Sequence, residues 1–270
     1  MGKRTTTADS DLDVIFLLNV PNPRVLHEDL NVASKIEDTI SRCYADAILD
    51  INPKCVKAKF LPGSHPELGP IEIDIVLSFN MIRPRVGELI EESQQFQAVI
   101  NILSLMTRKE ASMSSAALCE TQVRFYHSLP SKVIHLVRVA KLWLKCQGDK
   151  IGSVPGLKYA IELHALNIGR KIEYEVELEM FKRFLRSMGS LKYGRRLLIE
   201  NLYGYCHEDI GEDLLETPRT LTLDGLNPAN NVSHSFTQET CDQINAAAVS
   251  TLNIMSDIRL FESFKELFEQ

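Results

Sequence analysis

Ala8-Asp9-Ser10-Asp11-Leu12-Asp13-Val14-Ile15-Phe16 passes within a few residues from acid to hydrocarbon, and its reading decides the fold. The apolar run Val14-Ile15-Phe16-Leu17-Leu18 is short, β-branched and aromatic, which predicts a buried strand. Strand side chains alternate faces, so Asp11 and Asp13 stand together on one face at its mouth. Like charges that close raise each other's pKa unless a counter-charge or a divalent cation keeps both ionised. The ordinary alternative is a turn or strand start, where Asp and Ser bond to local backbone.

A second stretch favours the cation. Gly69-Pro70-Ile71-Glu72-Ile73-Asp74-Ile75-Val76-Leu77 alternates apolar and acidic residues and then becomes fully apolar. Glu72 and Asp74 share one face of this expected strand, and Ile71, Ile73 and Ile75 share the other. Carboxylates on a face destined for burial are costly unless liganded. If the two strands are neighbours, Asp11, Asp13 and Asp74 converge, which is the ligand set of two magnesium ions in nucleotidyl transfer.

Composition sets the outer bounds. The 270 residues are 44% hydrophobic and 24% charged, enough for one large domain or two packed lobes. A formal net charge of −6 argues against a protein coated in nucleic acid, although a local basic face is compatible with it. The six cysteines (Cys43, Cys55, Cys119, Cys146, Cys206, Cys241) lack Cys-x-x-Cys spacing, and Cys206-His207 has no partner spacing for zinc. With no apolar signal segment and no run long enough to span a bilayer, the expectation is a cytoplasmic or nuclear protein with free thiols.

In chain order, the first strand is followed by the break Pro21-Asn22-Pro23 and by apolar residues at helical spacing from Asp29 to Asp50. A strand is expected from Lys54 to Phe60, a loop at Pro62-Gly63-Ser64-His65-Pro66, and then the acidic strand. After Arg83-Pro84-Arg85 the texture becomes helical, with expected helices over 88–107, 116–127, 131–147, 157–170, 175–188, 192–203 and from about 238 to the end. This predicts an α+β fold, with a mixed strand and helix lobe over 1–85, a helical lobe over 86–270, and a cleft between them as the default site.

These residues carry a resemblance. Ser10-Asp11-Leu12-Asp13-Val14-Ile15-Phe16-Leu17 and Ile71-Glu72-Ile73-Asp74 are followed by Pro130-Ser131-Lys132 and Arg138-Val139-Ala140-Lys141-Leu142-Trp143. Pro155 to Leu163 adds Tyr159-Ala160-Ile161-Glu162-Leu163, and then come Pro218-Arg219-Thr220-Leu221-Thr222-Leu223-Asp224, Asn227-Pro228 and Asn231. In this order and spacing the chain resembles the 2′-5′-oligoadenylate synthetases, members of the polymerase-β-like nucleotidyltransferases.

The resemblance implies metal-binding and catalytic carboxylates at Asp11, Asp13 and Asp74, holding two Mg2+ ions. It implies ATP-binding residues at Lys3, Lys141, Lys158 and Tyr159, with Lys141 on the donor triphosphate and Tyr159 stacked on the base. Read from the residues alone, Lys141 shares a helix face with Arg138 and Lys145, which suits a triphosphate or a solvated basic face equally. Tyr159, opening an apolar helix, fits plain core as well.

Three departures from the family stand out. The family's Gly-Ser phosphate turn precedes the position of Lys3, so an incomplete N-terminus is expected. Lys158 replaces a donor-site glutamine. Double-stranded RNA, the family's activator, would meet Arg124 and Lys132, but Val123 and His127 stand where relatives tend to be basic. The expected activity is polymerisation of ATP into 2′-5′-linked oligoadenylates with release of pyrophosphate, in antiviral innate defence. A related synthase of cyclic dinucleotides and an inactive RNA-binding scaffold are the alternatives.

Overall fold

The structure is a computed structural model that describes residues 12–18, 30–44, 47–52, 55–60, 70–81, 92–107, 110–111, 113–172, 176–193, 222, 224–227 and 229–256. It has the α+β architecture expected from the sequence. Its described residues form two compact units, one ending at Gln122 and the other starting at Val123.

The first unit is built on a four-stranded sheet in the order β1-β4-β3-β2, comprising β1 (Leu12–Leu18), β2 (Ile48–Asn52), β3 (Cys55–Phe60) and β4 (Ile71–Phe79). β1 and β4 are neighbours and pair in parallel, while β3 is antiparallel to both β4 and β2. Helix α1 (Leu30–Cys43) supplies Ile36 and Ile40, which pack with Val14, Val56, Ile73 and Ile75. Because residues alternate across a strand, this leaves Lys57 and Asp74 on the opposite face of the sheet. Helix α2 (Glu92–Ser104) and a 3-10 turn (Met113–Leu118) complete this unit.

One strand was not foreseen. The helix expected over 29–50 ends at Cys43, and Ile48-Leu49-Asp50-Ile51-Asn52 forms β2 instead. Apolar spacing at Ala47 and Ile48 fits either period, and pairing with β3 decides the outcome. The hairpin's last pair is Asn52 with Cys55, and Asn52-Pro53 was the available turn signal.

Every described element after β4 is helical: α3 (Cys119–Ser128), α4 (Ser131–Cys146), α5 (Gly148–Ile151), α6 (Leu157–Lys171), α7 (Glu177–Gly189), a 3-10 turn (Ser190–Tyr193) and α8 (Gln238–Ser256). The helix expected over 192–203 is a 3-10 turn as far as Tyr193, and the remainder lies outside the described residues. So do the loop at 62–66 and the expected continuation of α8 beyond Ser256.

α6 is the central helix of the second unit, and its residues 160–167 are all buried. A helix stretch wrapped on all sides by protein is apolar all round, and residues 160–167 depart from this only at Glu162, His164 and Asn167. Gly169 permits its close approach to α4, since a Cβ there would lie 2.8 Å from a methyl of Val133. Trp143 of α4 packs edge-on against Phe184 of α7 and donates its indole hydrogen to Thr251 of α8 at 3.0 Å.

Candidate active site

In the sheet, residue 13 of β1 stands directly opposite Asp74 of β4, and Lys57 of β3 stands opposite Asp74 on the other side. The Lys57 ammonium lies 3.4 Å from the Asp74 carboxylate, whose side chain is 30% exposed. One step along the same face, Lys59 donates to Glu72 at 2.8 Å. The hydrogen bond and charge of Asp74 raise the Lys57 pKa, and the Lys59 hydrogen bond lowers that of Glu72.

These pairs correct one expectation. The carboxylate face was read as one that burial would make costly without a ligand, yet both acids reach solvent and each has a lysine opposite. The alternation Val56-Lys57-Ala58-Lys59 in β3 was the available signal.

Asp11 and Lys3 lie outside the described residues, and Asp13 is described only as a strand position. Among the described residues no cluster of three metal-ligating side chains occurs. The donor chemistry fits a hard divalent cation nonetheless: Asp74 offers carboxylate oxygens, already faces a cation, and has an aspartate position beside it on the neighbouring strand.

The second unit carries a polar network around α6. Tyr126 of α3 donates its phenolic hydrogen to one oxygen of Glu162, and the other oxygen lies 3.9 Å from the Lys141 ammonium of α4. The Glu162 side chain is only 7% exposed, against 25% for Lys141. Burial, followed by the charge of Glu162 and the nearness of Tyr159, pushes the Tyr126 phenol well above its ordinary pKa. Tyr159 donates to Asp224 at 2.9 Å, and Asp224 also accepts from the Leu226 amide at 3.0 Å and from Asn230 Nδ2 at 3.4 Å. His164 lies 3.2 Å from Ser187 Oγ and 3.4 Å from Thr222 Oγ1, tying the same loop to α6 from another side.

Of the residues expected to bind ATP, the second unit thus pairs Lys141 with Glu162 and Tyr159 with Asp224, and the nearness of Tyr159 is felt at Tyr126. Lys158 is exposed in the first turn of α6. Arg124 on α3 and Lys132 on α4 are both exposed. The sequence reading gave no role to Tyr126, Glu162 or Asp224. A glutamate within Tyr159-Ala160-Ile161-Glu162-Leu163-His164-Ala165-Leu166 was the signal, since an acid in so apolar a run has to be paired.

Comparison with known proteins agrees with this architecture. Residues 91–263, well over half of the 270, match the family model for 2'-5'-oligoadenylate synthetase 1, domain 2, C-terminus. The fold is similar to that of CdnC in the E. coli MS115-1 CdnC:HORMA-deltaN complex, with a TM-score of 0.59 and 18% identity over 92% of this chain and 71% of that one. It is also similar to E. coli MS115-1 CdnC with ATP, with a TM-score of 0.53 and 15% identity over 94% of this chain and 74% of that one. No curated protein sequence matches the chain. No described helix is long and apolar enough to cross a membrane. On the extent of the family match, the chain belongs to the 2'-5'-oligoadenylate synthetase family of nucleotidyltransferases.

Proposed function

We propose that this chain transfers adenylyl groups from ATP onto the 2′-hydroxyl of an adenosine acceptor, building 2′-5′-linked oligoadenylates and releasing pyrophosphate. The observation that carries the reading is the parallel register of residue 13 with Asp74, which sets two aspartate positions side by side on neighbouring strands. Family membership supports it, as does the likeness of the fold to a protein whose structure includes ATP.

In this reading Lys141 and Lys3 receive the donor triphosphate, Lys158 lies near it, and the Tyr159 ring stacks on the base. Asp74 takes the proton of the acceptor hydroxyl, whose oxygen forms a bond to the α-phosphorus. The bond from that phosphorus to the bridging oxygen of the β-phosphate breaks, and pyrophosphate leaves with the electron pair. Asp11, Asp13 and Asp74 would hold magnesium, which when bound supplies charge neutralisation and lowers the pKa of the hydroxyl. Double-stranded RNA meets the surface of Arg124 and Lys132 and acts as activator.

The test is incubation of the purified chain with labelled ATP and magnesium, with and without double-stranded RNA, beside Asp74→Ala. Oligomers that resist a 3′-5′-specific nuclease and vanish in the variant are expected. A cyclic product, or no product from a folded chain, would replace the reading.

A further inference from the structure

Glu162 is a charge that the interior of the second unit has to accommodate. Its side chain is 7% exposed within the run 160–167, every residue of which is buried, and a carboxylate there is costly without partners. The partners come from two other helices: Tyr126 donates to one oxygen, and the Lys141 ammonium faces the other. The two contacts differ in kind. The phenol makes a direct hydrogen bond, whereas the ammonium stands 3.9 Å away, beyond direct hydrogen-bond range.

We propose that Glu162 is a positioning residue for Lys141: fixed from behind by Tyr126, it holds the ammonium by charge in the place where it meets the phosphates of a nucleotide. This rests on the reading of Lys141 as a triphosphate ligand. An ammonium has three hydrogens and a long flexible stem, so an unanchored lysine loses much freedom on meeting a phosphate. A buried counter-charge removes part of that loss in advance. A quarter of the Lys141 side chain is exposed, so an anion in solvent can reach it.

The experiment measures magnesium-ATP binding by calorimetry, and KM and kcat, on the full chain and on Lys141→Met, Glu162→Gln and the double variant. Glu162→Gln keeps an acceptor for Tyr126 but loses the charge that faces Lys141. It is expected to weaken ATP binding about five- to twentyfold and to raise KM more than it lowers kcat. The double variant is expected to bind no more weakly than Lys141→Met, because the glutamate acts only through the lysine. Wild-type binding by folded Glu162→Gln, or independent losses that multiply in the double variant, overturns the proposal. If Lys141→Met itself binds ATP like wild type, the triphosphate reading of Lys141 fails first and takes the proposal with it. Should Glu162→Gln not fold, Glu162→Asp serves: it keeps the charge but shortens the arm, and unchanged ATP binding there overturns the proposal too.

Discussion

The phenol of Tyr159 is bonded to Asp224, a carboxylate 1% exposed, at 2.9 Å. The bond ties the first turn of α6 to the loop around Asp224, which is closed by the backbone bonds of Asp224 to Asn230 and of Val232 to Thr222. The ring proposed to stack on a base is therefore held by its own hydroxyl. This allows the anchoring and stacking parts of Tyr159 to be separated.

Tyr159→Phe removes the anchor and keeps the ring. Asp224 then loses one of its donors, at a cost of about 1.5–3 kcal/mol in unfolding free energy. ATP affinity is expected to stay within about threefold of wild type, whereas Tyr159→Ala loses stacking worth about 1–3 kcal/mol. Chemical denaturation and calorimetric titration of both variants check this. Equal losses of ATP affinity in the two would mean that the hydroxyl, not the ring, matters to binding.

Tyr126 gives a pH signature. Its folded pKa lies well above the ordinary 10.0, through burial first and the Glu162 charge second. A raised pKa means that the folded state favours the protonated phenol, so the associated stability is fully present below about pH 10 and is lost as pH rises above it. Phenolate absorbance should therefore show at least one of the seven tyrosines titrating only as the chain unfolds. In Tyr126→Phe that late component disappears. Its persistence would assign the buried phenol to another tyrosine.

Much of this arrangement was legible in the sequence, and the reasons for the gaps are physical. Alternation in β4 and the short apolar run of β1 marked the two acidic strands, because period and length are local properties. α4, α6 and α7 were equally clear, since each carries a long apolar stripe. β2 was hidden because it depends on pairing with β3, which is not local. The partners of Glu162 and Asp224 were hidden for a similar reason. Tyr126 lies 36 residues from Glu162 and Tyr159 lies 65 from Asp224, and no spacing rule links such positions. Lys57 and Lys59 could have been foreseen from their step with Glu72 and Asp74 once antiparallel pairing was assumed.

Gly156 is expected to tolerate no side chain. Its φ is +79°, and a Cβ would lie 2.4 Å from the backbone oxygen of Val232. The left-handed backbone alone costs an alanine about 1 kcal/mol, and moving the Val232 backbone disturbs its bond to Thr222. Gly156→Ala should lose about 2–4 kcal/mol of stability in denaturant unfolding. Gly152 isolates conformation from contact, because nothing lies within 4 Å of its Cβ position, while its φ of +74° and ψ of −176° belong to a region essentially reserved for glycine. Gly152→Ala should lose about 1–3 kcal/mol through conformation alone. A loss of no more than about 1 kcal/mol in Gly156→Ala would show that conformation, not the contact with Val232, sets the cost there.

Lys57 and Asp74 lead to a prediction about metal. The pair is solvent-facing, with Lys57 54% and Asp74 30% exposed, so Lys57→Met should leave stability almost unchanged. The ammonium nevertheless occupies the position of a counter-ion to the carboxylate proposed to hold magnesium. Removing it leaves Asp74 without that cation, and a divalent ion then meets one competitor fewer. Magnesium should therefore raise the melting temperature of Lys57→Met more than that of wild type, with the largest difference at low ionic strength, where charges are least screened. Asp74→Asn is expected to abolish the magnesium shift in both backgrounds. A shift that survives Asp74→Asn would place the ion elsewhere, and a smaller shift in Lys57→Met would make Lys57 a support of the metal site instead of a competitor.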